Sequence, residues 1–223
     1  MSSDAIPADE AIEQNRPYQA LLSHAEQNGI VLHRANIYGS GPPVDEVSEE
    51  ILDYVLRHVG ASVLDIGCGV GPYVARLNEA GKRCVGIEID VDMVGVAKGL
   101  GRAVDQMSAY ALSFPANTFD SVIFIETLEH LEDYQRALAE AARVARSSIV
   151  VTVPDISVLP QMSTRGIVPW HILELSHVNF FTPELLKSIL LPYANSCEVS
   201  RLGRFMEIDG EAMHVHAVAT AHL

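Results

Sequence analysis

At 223 residues the chain fits one α/β domain with a modest extension and is long enough to bury a proper core. Its 29 acidic residues against 15 basic ones leave a net charge of -14 with no basic run, which disfavours DNA or RNA gripped through phosphates and favours a neutral or cationic small molecule. No apolar run approaches the roughly 18 residues of a membrane span, MSSDAIPADEAIEQN lacks the marks of a signal peptide, and Cys68, Cys84 and Cys197 are too scattered for a disulfide framework, so a reducing cytoplasm is the expected setting.

In chain order, Ile12, Tyr18, Leu21, Leu22 and Ala25 recur at helical spacing over residues 8–29, and Gly29 closes that helix. A turn-rich loop over 33–43 follows, then a helix over 44–59 with Val47, Ile51, Tyr54, Val55 and Val59 on one face. Strands and helices then alternate: strand 62–66, helix 72–80, strand 83–88, helix 91–99 and a short strand near 102–107. Strand 120–125, helix 133–145 and strand 147–153, ending at Pro154, continue the pattern. Such alternation predicts a parallel sheet covered by helices on both faces. Residues 154–181 read as a long connection, of the length that usually serves function, ahead of a helix over 183–191 started by Thr182 or Pro183. A hairpin of 198–208 and 213–220, joined around Asp209-Gly210, ends the chain.

The most informative stretch is Val63-Leu-Asp-Ile-Gly-Cys-Gly-Val-Gly71, where a strand runs into glycines spaced G-x-G-x-G and a helix opens at Pro72. Glycine lets a backbone turn sharply and approach a ligand closely. Asp65, two residues before Gly67, would sit badly beside a pyrophosphate and suits a cationic ligand, which disfavours a nicotinamide oxidoreductase. Glu88 closes the next strand, placed to accept hydrogen bonds from a ribose diol. An acid near a cation and another on a ribose describe S-adenosylmethionine better than a nicotinamide dinucleotide.

VLDIGCGVG, VGIEID (85–90), AYALSFPANTFD (109–120) and IETLEHL (125–131) occur in the order of the motifs of class I S-adenosylmethionine-dependent methyltransferases, a family the chain resembles over about residues 44–192. Ser113 replaces the usual proline of the third motif, and Ser108 stands where an aspartate often does. The resemblance implies a doubly wound, mostly parallel seven-stranded sheet with an antiparallel C-terminal hairpin at one edge. It implies a methyltransferase domain over 44–223, with 1–43 as an N-terminal helix and substrate-side cap. It further implies that Asp65, Gly67, Cys68, Gly69, Gly71, Glu88, Ala109, Tyr110 and Glu126 bind the cofactor, with Ala109 and Tyr110 beside the adenine.

Methyl transfer asks mainly for alignment and removal of a proton. Glu126, Glu129 and His130 lie where a strand meets a turn, at the sheet end where α/β folds bind ligands. His130, and His177 in the long connection, are the candidate general bases, expected to face one another across the transferred methyl. Arg34, Tyr38, Trp170, His171 and His177 mark segments 1–43 and 154–181 as candidate acceptor walls. Glu126-x-x-Glu129-His130 with a later histidine also resembles the metal site of small-RNA 3′-terminal 2′-O-methyltransferases, so a divalent ion held by Glu126, Glu129, His130 and His177 is an alternative, although the chain's acidity speaks against RNA. His214 and His216 alternate in the last strand and read as edge-strand solvation or subunit packing. The expected activity is transfer of a methyl group to an oxygen, less readily a nitrogen, of a small metabolite. A non-catalytic partner that merely holds the cofactor is the rival of another class.

Overall fold

The computed structural model describes residues 45–166, 168–174 and 176–223, together with the short strand Ile37–Tyr38. The helix expected over 8–29, and Arg34 with it, lies outside the described residues. A seven-stranded sheet runs in the order β4-β3-β2-β5-β6-β9-β8, built from β2 (Ser62–Ile66), β3 (Arg83–Glu88), β4 (Val104–Gln106), β5 (Phe119–Ile125), β6 (Ala145–Pro154), β8 (Ser196–Ile208) and β9 (Glu211–His222). Strands β2 to β6 pair in parallel, whereas β9 runs antiparallel to β6 and β8 antiparallel to β9. The expected doubly wound sheet with a C-terminal hairpin at its edge is the fold observed.

Sequence alternation divides the two faces. Leu64, Ile66, Val122 and Phe124 point into one core with Leu138, Ala141 and Val144 of α4 (Tyr134–Val144) and Leu186 and Leu190 of α7 (Pro183–Leu190). Val63, Ile123 and Val150 point the other way, onto α1 (Glu49–His58), α2 (Pro72–Glu79) and α3 (Val91–Gly99). Local chemistry sets the helix starts. The Ser48 hydroxyl accepts from the N–H of Ile51, so α1 begins five residues later than its apolar stripe suggested. Asp90 caps α3 by accepting from the N–H groups of Asp92 and Met93. Pro72 fits the first turn of α2 directly after Gly71.

The connection over 154–181 is more ordered than its sequence suggests. It holds α5 (Leu159–Ser163), β7 (Val168–Pro169) and α6 (Trp170–Leu173), and β7 pairs in parallel with β1 (Ile37–Tyr38). Its last residues are stapled to the turn after β5. The N–H groups of Val178 and Asn179 donate to the carbonyl of Glu129 at 2.8 and 3.1 Å, and the Asn179 amide donates to the carbonyls of Leu128 and Leu131. Two segments far apart in sequence therefore meet at the carboxyl end of the sheet. Among the described residues no helix is long and apolar enough to cross a membrane.

Candidate active site

Three parallel strands end together. β2 delivers Asp65 and the glycine loop, β3 delivers Glu88, and β5 delivers Glu126 to His130. Gly67, Gly69 and Gly71 all adopt positive φ, at 72°, 56° and 77°. A Cβ on Gly67 would lie 2.3 Å from Cγ2 of Thr127, and one on Gly71 would lie 2.9 Å from Cγ2 of Val104. Those two glycines permit close packing within the protein. Gly69 differs: beyond Sδ of Met93 at 3.9 Å, no described atom lies near its missing side chain. Cys68 turns its buried sulfur inward against Gly86, leaving the loop only its backbone, and burial pushes its thiol well above the ordinary range.

Asp65 is 2% exposed, and no described residue gives its carboxylate a hydrogen bond. Burial, with the nearby Glu88 charge adding to it, raises its pKa to about 7. Glu88 is pinned: Oε2 accepts from the N–H of Gly69 at 3.0 Å, and Oε1 accepts from those of Ile89 and Asp90 at 2.7 and 3.0 Å. Ile89, 64% exposed, stands directly after it and was not singled out from the sequence. The available signal was an aliphatic residue that neither strand nor helix needs. Ala109 and Tyr110 pack partly buried against the core, with the Tyr110 hydroxyl accepting from the N–H of Asp133. Ser108 accepts from the N–H of Tyr110, so this departure from the motif shapes the turn.

The acids and histidines after β5 form two groups. Glu129, His130 and His177 come together, with one ligand atom from each lying within 4.8 Å of the others. Glu129 is 1% exposed and neither carboxylate oxygen has a partner; burial first, and the Glu126 charge second, raise its pKa well above the usual range. His130 Nδ1 lies 3.2 Å from the carbonyl of Ser176, and His177 Nδ1 lies 2.9 Å from that of His171. A carbonyl only accepts, so each Nδ1 carries a proton, and in the neutral ring each Nε2 has the lone pair. The two rings meet edge to face at 4.7 Å between centroids. That spacing leaves no room for a methyl group between them, so they share one wall instead of straddling the reaction. His171 is buried with Nε2 unpartnered, and burial, reinforced by His177, lowers its pKa to about 4.

Glu126 stands apart from that trio. Its Oε1 accepts from the Thr152 hydroxyl at 2.9 Å and lies 3.1 Å from Nδ1 of His216. Burial works against both charges, yet the pairing outweighs it, holding Glu126 below and His216 above their ordinary values. The expected edge-strand role for His216 is therefore corrected: β9 is an interior strand, between β6 and β8, and brings His216 to the site.

Known proteins share this architecture. Residues 64–151 match the model of a family described as "Methyltransferase domain". A ubiquinone biosynthesis O-methyltransferase of Aromatoleum aromaticum is 34% identical over 114 residues, covering 47% of this chain and 49% of that protein. An ajmaline N-methyltransferase of Rauvolfia serpentina is 32% identical over 103 residues, covering 41% and 35%. The chain thus spans half or less of the length of these two curated relatives. In structure it resembles a SAM-dependent methyltransferase from Archaeoglobus fulgidus (TM-score 0.63, 20% identity, 78% of this chain and 93% of that one). It also resembles a magnesium protoporphyrin IX methyltransferase from Synechocystis (TM-score 0.57, 18% identity, 77% and 80%). Residues 64–151 thus carry a methyltransferase domain, and the sheet order and glycine loop around it are those of the class I, Rossmann-like S-adenosylmethionine-dependent methyltransferase fold.

Proposed function

We propose that this protein transfers a methyl group from S-adenosylmethionine to an oxygen, less readily a nitrogen, of a small neutral or cationic metabolite. The residues suit that cofactor. The open space at Gly69 admits a ligand against the backbone, the partnerless carboxylate of Asp65 calls for a cation, and Oε2 of Glu88 keeps a lone pair for a ribose hydroxyl. Ile89 and Tyr110 would offer apolar surface to the adenine. When bound, the cofactor supplies an activated methyl group. The protein must then align the acceptor and take its proton.

The observation that carries the acceptor chemistry is the trio Glu129, His130 and His177. Two imidazoles with bare Nε2 atoms lie beside a carboxylate lacking any donor. Either Nε2 can receive a hydroxyl proton, while Glu129 orients a second donor of the acceptor. The same donors also favour a second reading, in which a divalent ion held by Glu129, His130 and His177 polarises the acceptor oxygen. Glu126, engaged by Thr152 and His216, would have to turn to join it.

Calorimetry with S-adenosylhomocysteine and NADH tests the cofactor; binding of NADH alone would overturn the reading. A transfer screen against pooled metabolites, with and without chelator, tests the rest. His130→Ala or His177→Ala should lower the rate about 10²–10⁴-fold if an imidazole is the base. Loss of activity in chelator, restored by added divalent ion, would establish the metal form. Full activity of the double variant in chelator would leave alignment alone as the mechanism. Tight S-adenosylhomocysteine binding without transfer to any acceptor would indicate a cofactor-holding partner protein.

A further inference from the structure

Glu126 adopts a positive φ of 49°, which a side-chain-bearing residue accepts only when its surroundings impose it. Its N–H donates to the backbone carbonyl of Thr152 at 3.0 Å, and its Oε1 takes the Thr152 hydroxyl. The next residue, Thr127, packs its methyl against Gly67 and its hydroxyl lies 3.5 Å from the Gly67 carbonyl. Glu126 is thus fixed over the start of the glycine loop. The Tyr73 hydroxyl stands at the start of α2, directly after the glycine loop. That hydroxyl accepts from the N–H of Ser48, and no described acceptor takes its proton.

The C-terminal hairpin is shaped to bring His216 here. The partner of His216 on β8 is Leu202; the next residue, Gly203, adopts φ 71°, and a Cβ there would meet Cδ2 of His216 at 3.1 Å and Cβ of Val215 at 3.2 Å. The N–H of Gly203 donates to Glu50, which ties the hairpin to α1. His216 and Thr152 together occupy Oε1 of Glu126 and leave Oε2 unengaged by any described residue. Asp65 and Glu126 thus come from the adjacent strands β2 and β5, and the Tyr73 hydroxyl from the helix that follows the loop. This matches the zwitterionic amino-acid arm of the cofactor, whose ammonium seeks carboxylate oxygens and whose carboxylate seeks donors.

We propose that His216 is a positioning residue that, with Thr152, aims Oε2 of Glu126 at the α-ammonium of the cofactor's amino-acid arm. The inference rests on the cofactor assignment above, and its test separates the two. S-adenosylhomocysteine carries that arm; 5′-methylthioadenosine has the same nucleoside and thioether without it. In His216→Leu, calorimetry should show S-adenosylhomocysteine binding weakened about tenfold, with methylthioadenosine binding unchanged. His216→Asn, which restores a donor, should recover most of the loss. Equal weakening for both ligands would mean that His216 only supports the fold, and unchanged affinity for S-adenosylhomocysteine would remove it from the site; either result overturns the proposal. Failure of the unaltered protein to bind S-adenosylhomocysteine would instead overturn the cofactor assignment.

Discussion

Asp65 shows how a single carboxylate records the charge of an expected ligand. It sits at the end of a fully buried strand without a donor, so the folded chain keeps its proton up to about pH 7, while an unfolded chain releases it near 3.8. A folded-state pKa above the unfolded one gives stability that is complete below about pH 4 and lost as pH rises through about 7. The raised pKa corresponds to a loss on the order of 4 kcal/mol across that window. Asp65→Asn removes the burden. The cofactor-free variant should melt several degrees above the unaltered protein at pH 8.5, with the gap closing at pH 4. The same variant should no longer be stabilised by S-adenosylhomocysteine. Equal melting points at both pH values would mean that the carboxylate is solvated.

At the scale of elements, the hairpin and the connection over 154–181 depend on each other. Asp155, fully buried at the end of β6, accepts from Nε of Arg201 on β8 at 2.9 Å and from the N–H of Ser157. Its own N–H donates to the carbonyl of Val215 on β9. Arg201→Ala would leave a buried carboxylate short of its counter-charge. Because the Arg201 side chain is 41% exposed, the cost should lie below that of a fully buried pair, at about 1–3 kcal/mol in urea unfolding. Hydrogen exchange should rise in residues 154–166 and 199–217 ahead of the rest of the sheet.

Sequence reading succeeded where local chemistry decides the structure. The bounds of α3 follow from Asp90 as its cap, and the hairpin turn follows from Asp209-Gly210, both at positive φ. It fell short where the determinant lies far along the chain. Alternation places His216 on a face but cannot name Glu126, 90 residues earlier, as its partner. Nor does anything near His130 and His177 reveal that their rings touch; the staple from Val178 and Asn179 to Glu129 brings them together. Strands as short as β7 carry no period to read.

At the scale of the whole molecule, charge and site point the same way. The net charge of -14 belongs to the whole chain, and Glu88 and Glu126 add carboxylates at one end of the sheet, joined by Asp65 as it ionises near pH 7. Such a field attracts cations and raises their association rate, and dissolved salt screens it within about 10 Å at 0.1 M. The substrate and product forms of the cofactor differ by one positive charge at the sulfur. S-adenosylmethionine carries a net charge of about +1 at neutral pH and S-adenosylhomocysteine none. The site should therefore recruit the substrate form faster and let the spent form go without a comparable electrostatic hold. In stopped-flow binding, raising sodium chloride from 20 to 500 mM should slow S-adenosylmethionine association severalfold and S-adenosylhomocysteine association much less. Equal salt dependence for the two would mean that the acidic end does not steer the cofactor.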